Sequence, residues 1–356
     1  MQALPVFDGH NDVLLNLYLP ERGCERSFFV RSDTGHLDLP RAREGGFAGG
    51  FFAIFVPEAS EEAHHGPPHM TMTETGYEVP LAGAIDPVYA RRVASEMIDL
   101  LFRLEVESQS QLRVVRSAGE LTQCLREGIL AAVLHFEGAE PIGADLSELE
   151  SFYHMGLRSL GIVWSRPNVF AHGVPFRYPH SPDTGPGLTA AGRELVRACN
   201  RLGIMLDLSH LNEQGFWDVA RLSDAPLVAT HSNVHAISPR TRNLTDKQLD
   251  AIRASDGMVG LNFSVPDTCP DGGFDANMPL DFMVRHIDYL VERLGIDRVG
   301  FGSDFDGTLI SREIGDVTGL PRLIAALAAH GYDDEALRKI THENWVRVLR
   351  QTWHEE

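Results

Sequence analysis

The sequence lacks several features that mark whole classes of protein. Its four cysteines are scattered and include no C-x-x-C pair, which excludes a cysteine-rich zinc module and gives no sign of a disulfide framework. No apolar run approaches the ~18–20 residues of a membrane-spanning helix; the longest candidate, Phe51–Val56, is far shorter. The N-terminus has no basic leader followed by an apolar stretch and a cleavage site, so we expect a cytoplasmic protein without a signal peptide.

Positive charge is scarce, and lysine especially so. The 356 residues carry 31 Lys and Arg side chains against 50 Asp and Glu, a formal net charge of −19 at pH 7. Such a surface repels phosphate backbones and anionic lipids, so we expect neither nucleic-acid nor membrane partners. The only lysines are Lys247 and Lys339. With 43% hydrophobic and 23% charged residues, the composition is that of an ordinary globular protein.

Short β-branched or aromatic runs alternate with longer amphipathic stretches, and this alternation predicts eight strand–helix units. Eight such units close naturally into a (β/α)8 TIM-like barrel, here a single domain over residues 1–356. The rival is a doubly wound open sheet, which should offer a phosphate loop with G-x-G-x-x-G spacing; the sequence has no such spacing. The predicted strands are Leu4–Asp8, Phe47–Val56, Ile129–His135, Leu157–Val163, Ile204–Leu208, Leu227–Thr230, Met258–Phe263 and Arg298–Gly302.

The predicted barrel carries two additions. Residues Pro57–Pro80 are expected to form a long irregular insertion after the second strand, and C-terminal helices are expected at about residues 319–353. A loop of this length is usually functional or mobile, and it would lie on the face where barrel active sites form. Its three histidines, His64, His65 and His69, could suggest a further metal site, but their setting among prolines is more typical of a lid or a solvated loop.

Metal-binding residue types stand where four of the predicted strands end. His10 and Asp12 are two residues apart, so on an extended backbone they project from the same side. Glu137 closes an apolar run, where a buried carboxylate needs a partner. His210 and His231 follow the fifth and sixth strands. Each residue alone would suit a polar loop, a salt bridge or a packed histidine, but together they predict a metal centre on one rim of the barrel.

Five ligands exceed the roughly three that one catalytic zinc ion takes from a protein. Two zinc ions that share a carboxylate would use all five. His10 and Asp12 would then hold the first ion. His210 and His231 would hold the second, and Glu137 would bridge both. Such ions, ~3.5–4 Å apart, can activate a bridging water or hydroxide and polarise a carbonyl group together.

The scarcity of lysine decides which residue bridges the two ions. Some binuclear barrel hydrolases use a carbamylated lysine for this purpose. Lys247 lies near a predicted helix start and Lys339 in a C-terminal helix, so neither stands at a strand end. Glu137 must therefore be the bridge.

Two charged residues are candidates for work on the substrate. Asp304 follows the eighth predicted strand, and a carboxylate there could take a proton from the nucleophile and pass it to a leaving amine; the alternative is a turn residue in a Gly-rich loop. Asp306 would orient its neighbours. Arg242, downstream of the sixth strand, could clamp a substrate carboxylate, unless it is an ordinary surface arginine.

In order and spacing, these motifs resemble the renal (membrane) dipeptidase family, zinc peptidases of the amidohydrolase superfamily. The resemblance extends from the first strand to the eighth, nearly the whole chain. It rests on Asp8-Gly9-His10-Asn11-Asp12, Glu137-Gly138, Leu206-Asp207-Leu208-Ser209-His210, Thr230-His231-Ser232-Asn233, Arg242-Asn243 and Gly300–Gly307.

The resemblance implies a zinc-dependent dipeptidase that cleaves the single peptide bond of a dipeptide. It implies the same ligand assignment as above, with Glu137 shared, Asp304 as the catalytic acid/base and Arg242 as the group that grips the terminal carboxylate. Members of the family often accept a D-residue on the C-terminal side, and some open β-lactams.

One position departs from the family pattern. Where the animal enzymes have a histidine that binds the substrate carbonyl, this chain has Trp164, which can donate one hydrogen bond and cannot carry a proton. Asn168 or His172 could supply the missing donor, and Asn262, near the end of the seventh strand, is a further candidate substrate contact. The membrane anchor and disulfides of the family have no counterpart in this sequence.

The sequence therefore predicts a cytoplasmic metallo-dipeptidase with two zinc ions and a small dipeptide substrate. The oligomeric state stays open, with a homodimer as one option. An alternative enzyme is another binuclear amidohydrolase acting on an N-acyl amino acid, a cyclic amide or a lactone. A barrel that only binds a ligand is the alternative without catalysis, but it would be expected to have lost metal ligands or Asp304.

Overall fold

Eight parallel strands close into a barrel, which confirms the predicted fold class. The structure is a computed structural model that describes residues 4–19, 26–59 and 70–354. Neighbouring strands pair in the order β1-β2-β6-β7-β9-β10-β11-β12 and back to β1, and each of the eight overlaps a predicted strand. In chain order the strands are β1 (Val6–Asn11), β2 (Phe47–Ile54), β3 (Thr71–Met72), β4 (Tyr77–Val79), β5 (Leu112–Val114), β6 (Leu130–Glu137), β7 (Leu157–Gly161), β8 (Phe176–Tyr178), β9 (Met205–Asp207), β10 (Val228–Ala229), β11 (Met258–Leu261) and β12 (Val299–Phe301).

Helices connect the strands, and their ends follow ordinary capping chemistry. The helix α4, for example, begins after Ser117, whose hydroxyl oxygen accepts a hydrogen bond from the Glu120 amide at 3.1 Å, and ends at Gly128 in the left-handed conformation. None of the helices in the described residues is both long and apolar enough to cross a membrane. The helices are α1 (Val13–Tyr18), α2 (Leu39–Gly45), α3 (Pro87–Glu107), α4 (Ala118–Glu127), α5 (Leu149–Met155), α6 (Ala190–Leu202), α7 (Glu213–Leu222), α8 (Asp246–Ala254), α9 (Val265–Thr268), α10 (Leu280–Leu294), α11 (Leu320–His330), α12 (Asp334–Arg338) and α13 (Asn344–Thr352).

The C-terminal helix α13 contributes the largest fully buried side chain to the barrel core. Trp345 packs against Phe51 and Phe7, with ring centroids 5.3 and 6.5 Å apart, and its indole N–H donates to the Phe301 carbonyl at 3.1 Å. Gly9 in β1 makes this packing possible, because a β-carbon there would lie 2.6 Å from the indole ring. The indole ring of Trp345 therefore fills part of the barrel interior between β1, β2 and β12.

Two segments depart from the predicted pattern. Residues 70–80 are not wholly irregular, because β4 pairs antiparallel with both β3 and β8 in a separate three-stranded sheet. A short extra strand, β5, pairs with the beginning of β6. The C-terminal region is helical over α11, α12 and α13, with a π-helical segment at Lys339–Glu343. His64, His65 and His69 lie outside the described residues.

Candidate metal centre and active site

The five predicted metal ligands project from the carboxyl ends of four barrel strands. His10 lies within β1, and Asp12 follows its last residue; Glu137 is the last residue of β6. His210 and His231 follow β9 and β10 by a few residues. All five side chains are buried, with exposed fractions of 6% or less. The structure thus brings residues that are distant in sequence to one rim of the barrel.

Glu137 directs its two carboxylate oxygens at different ligand pairs. Its Oε2 atom lies 3.7 Å from Nε2 of His10, which is 3.3 Å from Oδ2 of Asp12. Its Oε1 atom lies 3.1 Å from Nε2 of His210 and 3.7 Å from Nε2 of His231. Each oxygen therefore faces one of the two pairs, which is the arrangement required of a carboxylate shared by two ions.

Hydrogen bonds fix which ring nitrogen of His231 is free. The Thr230 hydroxyl donates its only hydrogen to Oδ2 of Asp207 at 2.6 Å, so it accepts from Nδ1 of His231, 2.8 Å away. Nε2 of His231 is then an unprotonated acceptor aimed into the site. Nδ1 of His210 is similarly paired with the Ser165 hydroxyl at 2.9 Å, which leaves its Nε2 facing the same space.

The donor set fits divalent metal ions. Nε2 of His210 and Nε2 of His231 face each other at 3.2 Å, and neither ring nitrogen of the fully buried His10 has a hydrogen-bond partner in the structure. Ligand atoms of His10, Glu137 and His231 lie within 4.8 Å of one another, as do those of His10, Asp12 and Asp304. Buried, unpaired nitrogen and carboxylate groups of this kind are costly unless a cation satisfies them.

The pKa shifts within the cluster also indicate that a cation would stabilise it. Burial raises the pKa of Glu137 well above its usual value, and the neighbouring Asp12 raises it further. Burial alone would lower the pKa of His10, but the carboxylates of Glu137 and Asp12 outweigh it and raise that pKa to about 10. For His210 and His231, burial lowers the pKa well below the usual value, so both imidazoles are neutral. The cluster therefore combines two neutral imidazoles with carboxylates whose negative charge raises the pKa of His10, and a divalent cation could take the place of the proton on His10.

Asp304 lies beside this cluster, held by backbone and side-chain contacts. Its amide donates to the His10 carbonyl at 2.9 Å, and its Oδ2 accepts from Nδ2 of Asn262 at 2.9 Å. Burial raises the pKa of Asp304 to about 6, although His10 and the Asn262 hydrogen bond oppose the shift. Asn262, predicted as a substrate contact, is thus placed where it orients Asp304.

The backbone is unusual at two of these residues. His210 has φ 66° and Asp304 has φ 59°, values that non-glycine residues adopt infrequently and at a cost of about 1–3 kcal/mol. The strained turns are held by hydrogen bonds, including one from the Val174 amide to the His210 carbonyl at 2.8 Å. Such conformations are common where a side chain must be aimed at a functional site.

A cavity of about 510 Å³ opens directly onto the cluster. Arg242 is buried in its wall, where its guanidinium group donates to the His231 carbonyl at 3.0 Å and to the Ser232 hydroxyl at 3.2 Å. Two other charged residues, Arg240 and Asp267, form an ion pair of 2.6 Å in the same wall. The cavity thus joins the candidate metal centre to an arginine that can receive a carboxylate.

The other predicted substrate contacts have different positions. Trp164 lines the cavity, 5.9 Å from the His210 ring between centroids. Asn168 uses its amide within its own loop: it donates to the Ile162 carbonyl at 2.7 Å and accepts from the amides of Phe170 and Ala171. Asp306 accepts from Nδ2 of Asn16 at 3.0 Å and helps to hold the loop that carries Asp304.

Sequence analysis missed the residues that support the ligands. Asp207 accepts hydrogen bonds from the amides of Ser209 and Thr230, at 2.9 and 2.8 Å, in addition to the Thr230 hydroxyl. Asp8 likewise accepts from the amide and the hydroxyl of Ser303. Both aspartates end or interrupt a buried apolar run. The same pattern identified Glu137, so it could have identified Asp8 and Asp207 as well.

Comparisons with known proteins find dipeptidases. The family model described as membrane dipeptidase (peptidase family M19) matches residues 1–355. A metallo peptidase from Rhodobacter sphaeroides, liganded with a phosphinate mimic of the dipeptide L-Ala-D-Ala, is 55% identical, has a TM-score of 0.92 and covers 98% of this chain and 99% of its own. The structure of the dipeptidase AC, also 55% identical with the same coverage, has a TM-score of 0.91. Dipeptidase tcpJ of Claviceps purpurea is 27% identical over 349 residues, 97% of this chain and 76% of its own.

Proposed function

The chain belongs to the membrane dipeptidase family, peptidase family M19, and is a metallo-dipeptidase; we propose that it hydrolyses dipeptides with the help of two zinc ions. The observation that carries the proposal is the geometry of Glu137, whose two oxygens face separate ligand pairs. His10 and Asp12 would hold one ion. His210 and His231 would hold the other, with Glu137 shared. When bound, the ions supply a water molecule activated as the nucleophile and polarise the scissile carbonyl.

Asp304 moves the proton in this proposal. As a carboxylate it accepts the proton of the attacking water, and as a carboxylic acid it delivers that proton to the departing amine. Desolvation raises the pKa of the Asp304 carboxyl above its usual value, which makes it a better proton acceptor than an exposed aspartate. The hydrogen bond from Asn262 keeps one oxygen of Asp304 engaged, so the other is directed at the reacting atoms.

Arg242 holds the carboxylate of the substrate's C-terminal residue. Its guanidinium group is fixed by two hydrogen bonds and lines the cavity, which makes it a preorganised partner for a carboxylate. Because the Rhodobacter sphaeroides structure holds a mimic of L-Ala-D-Ala, we propose that a D-residue is accepted at the C-terminal position here as well.

Metal analysis followed by a substrate screen tests the proposal. We expect about two zinc ions per chain by mass spectrometry of the purified protein. With zinc present, L,L- or L,D-dipeptides should be hydrolysed faster than N-acyl amino acids, cyclic amides or lactones. A protein that turns over one of those compounds and no dipeptide would favour the other amidohydrolase function.

An Asp304→Asn variant tests the proton step separately. It keeps the size and one hydrogen-bonding oxygen of the side chain but removes the carboxylate. We expect the zinc content to stay near that of the wild type while turnover falls by about 10²–10⁴-fold. Unchanged turnover would remove Asp304 from this role.

A further inference from the structure

One wall of the cavity is aromatic. Phe55, Trp164 and Phe176, defined here as the aromatic wall, all line the cavity beside Glu137 and His210. The Phe55 and Trp164 rings meet edge to face with centroids 5.1 Å apart, and those of Trp164 and Phe176 are 5.8 Å apart. The three residues come from the loop after β2, the loop after β7 and the strand β8, so the wall is assembled by the barrel fold.

A buried arginine supports the wall from behind. The guanidinium carbon of Arg166 lies 4.8 Å from the Phe55 ring centroid and 4.9 Å from that of Trp164, within the range of cation–π contact. Arg166 is 1% exposed; it donates to the Val56 carbonyl at 2.9 Å and faces Glu140, with its Nε 3.5 Å from Oε1. The two rings are therefore held in fixed positions before any substrate arrives.

The wall stands next to the candidate metal centre. The ring centroids of Trp164 and Phe176 lie 5.9 and 6.3 Å from that of His210. A dipeptide whose carbonyl lies at Glu137 and whose carboxylate meets Arg242 must extend through this cavity, since both residues line it. One of its two side chains then has the aromatic wall as its neighbour.

The volume of the cavity leaves room for a large side chain. At about 510 Å³ it falls within the ~300–1,000 Å³ range of pockets that hold drug-sized ligands, more than two small residues need. Apolar residues outside the wall, including Val79 and Pro266, continue its surface. A small dipeptide would leave the wall facing water, whereas an apolar side chain would cover it and release that water.

We propose that the aromatic wall is a side-chain subsite that makes the enzyme prefer dipeptides with a large apolar residue. Phe55, Trp164 and Phe176 are its specificity-determining residues, and Arg166 is a positioning residue that acts through two of them. This inference rests on the proposed dipeptidase function and names the substrate class of that site.

The test compares dipeptides that differ in one side chain. The zinc-loaded enzyme is assayed with Gly-Gly, with L-Phe-Gly and L-Asp-Gly, and with Gly-Phe and Gly-Asp whose C-terminal residue is L or D. We expect kcat/KM for the best Phe-containing dipeptide to exceed that for Gly-Gly and for the matched Asp compound by at least about tenfold. The position of the favoured Phe identifies which side chain meets the wall.

Variants assign the preference to the wall. In Trp164→Ala the ratio of kcat/KM for the Phe dipeptide to that for Gly-Gly should fall toward one, because hydrolysis of the Phe dipeptide loses more than hydrolysis of Gly-Gly, while the zinc content stays near that of the wild type. Leu309→Ala is the matched control, because Leu309 lines the same cavity but is 42% exposed, on the loop after β12. It should change the ratio less than Trp164→Ala does.

A second pair of variants covers the case in which Trp164→Ala does not fold. Trp164→Phe retains an apolar ring and should keep most of the preference. Arg166→Met combined with Glu140→Gln removes both buried charges together, so neither is left unpaired; it should lower the ratio without removing zinc.

The outcomes separate this inference from the proposed function. If no dipeptide is hydrolysed by the zinc-loaded wild type, the proposed function is wrong. If dipeptides are hydrolysed with equal kcat/KM whatever their side chains, or if Trp164→Ala lowers all rates by the same factor, the subsite is wrong and the dipeptidase function stands.

Discussion

The hydroxyl group of Thr230 offers a sharp test of the metal site, since it connects a buried carboxylate to a candidate ligand. It donates to Asp207 at 2.6 Å and accepts from Nδ1 of His231 at 2.8 Å. A Thr230→Val substitution preserves the shape of the side chain and removes both hydrogen bonds. His231 is then free to rotate, or to carry its proton on Nε2, where it cannot bind an ion.

The magnitude follows from the two bonds. At about 1 kcal/mol each, the two bonds hold the His231 ring in its metal-binding orientation with at most about 2 kcal/mol, so their loss should weaken the affinity for the ion that His231 holds by up to roughly 30-fold. This lies within the ~10–100-fold effect typical of residues that orient metal-binding histidines. The ion held by His10 and Asp12 should keep most of its affinity. In the variant the two zinc ions should therefore bind with clearly different affinities.

Zinc titration against a competing chelator measures both affinities, and thermal unfolding of the metal-free protein measures stability. Thr352→Val is the matched control: Thr352 is equally buried and loses one hydrogen bond to the Val348 carbonyl, but it lies on α13. We expect this control to bind zinc like the wild type. Wild-type affinity at both sites in Thr230→Val would refute the reasoning, as would an equal loss in the control.

Two further predictions concern stability. Burial lowers the pKa of His286 from 6.5 to about 4. As the pH falls, the unfolded chain therefore takes up a proton at this residue before the folded chain does. The folded state should lose up to ~3 kcal/mol of stability in this way between pH 6.5 and pH 4, and none of it above pH 6.5. Denaturant unfolding at several pH values measures the free energy of unfolding of the wild type and of His286→Gln. Over that pH range the free energy should fall less steeply in the variant, and an equal fall in both proteins would contradict the assignment. Gly9→Ala forces a β-carbon against Trp345 and should cost about 1–3 kcal/mol in the same assay. Gly83→Ala, which has open space around its β-carbon, should stay within about 0.5 kcal/mol of the wild type.

The barrel and the positions of the candidate ligands could be predicted because both depend on local sequence. An apolar run that ends in a polar residue is readable without tertiary contacts, as at Glu137, and alternation of strands with helices leaves few topologies for a parallel sheet. His10 and His231 could be assigned to one rim on that basis alone. The distance between these two residues could not be predicted from the sequence.

The remaining features depend on contacts between distant segments. The sheet formed by β3, β4 and β8 joins residues about 100 positions apart, and strands of two or three residues give little periodic signal. The turns with positive φ at His210 and Asp304 are bonded to distant segments, since the His210 carbonyl accepts from the Val174 amide and the Asp304 amide donates to the His10 carbonyl in β1. The role of Asn168 could not be predicted either, since nothing in the sequence indicates that its side-chain amide bonds to the backbone of its own loop.

The proposed pair of zinc ions has a consequence for the charge balance of the site. Asp12 and Glu137 are buried, the partly exposed Asp304 lies beside them, and desolvation raises the pKa of both Glu137 and Asp304. A single divalent ion would balance two of the three carboxylates, and the third would keep the proton on His10, whose pKa the carboxylates of Glu137 and Asp12 raise to about 10. A protonated imidazole cannot bind an ion. With a second ion all three carboxylates would be balanced without a proton on His10, which would leave His10 free to act as a ligand. A chain with one zinc ion bound should therefore hydrolyse dipeptides far more slowly than a chain with two, and rate measured against zinc stoichiometry should rise mainly with the second equivalent.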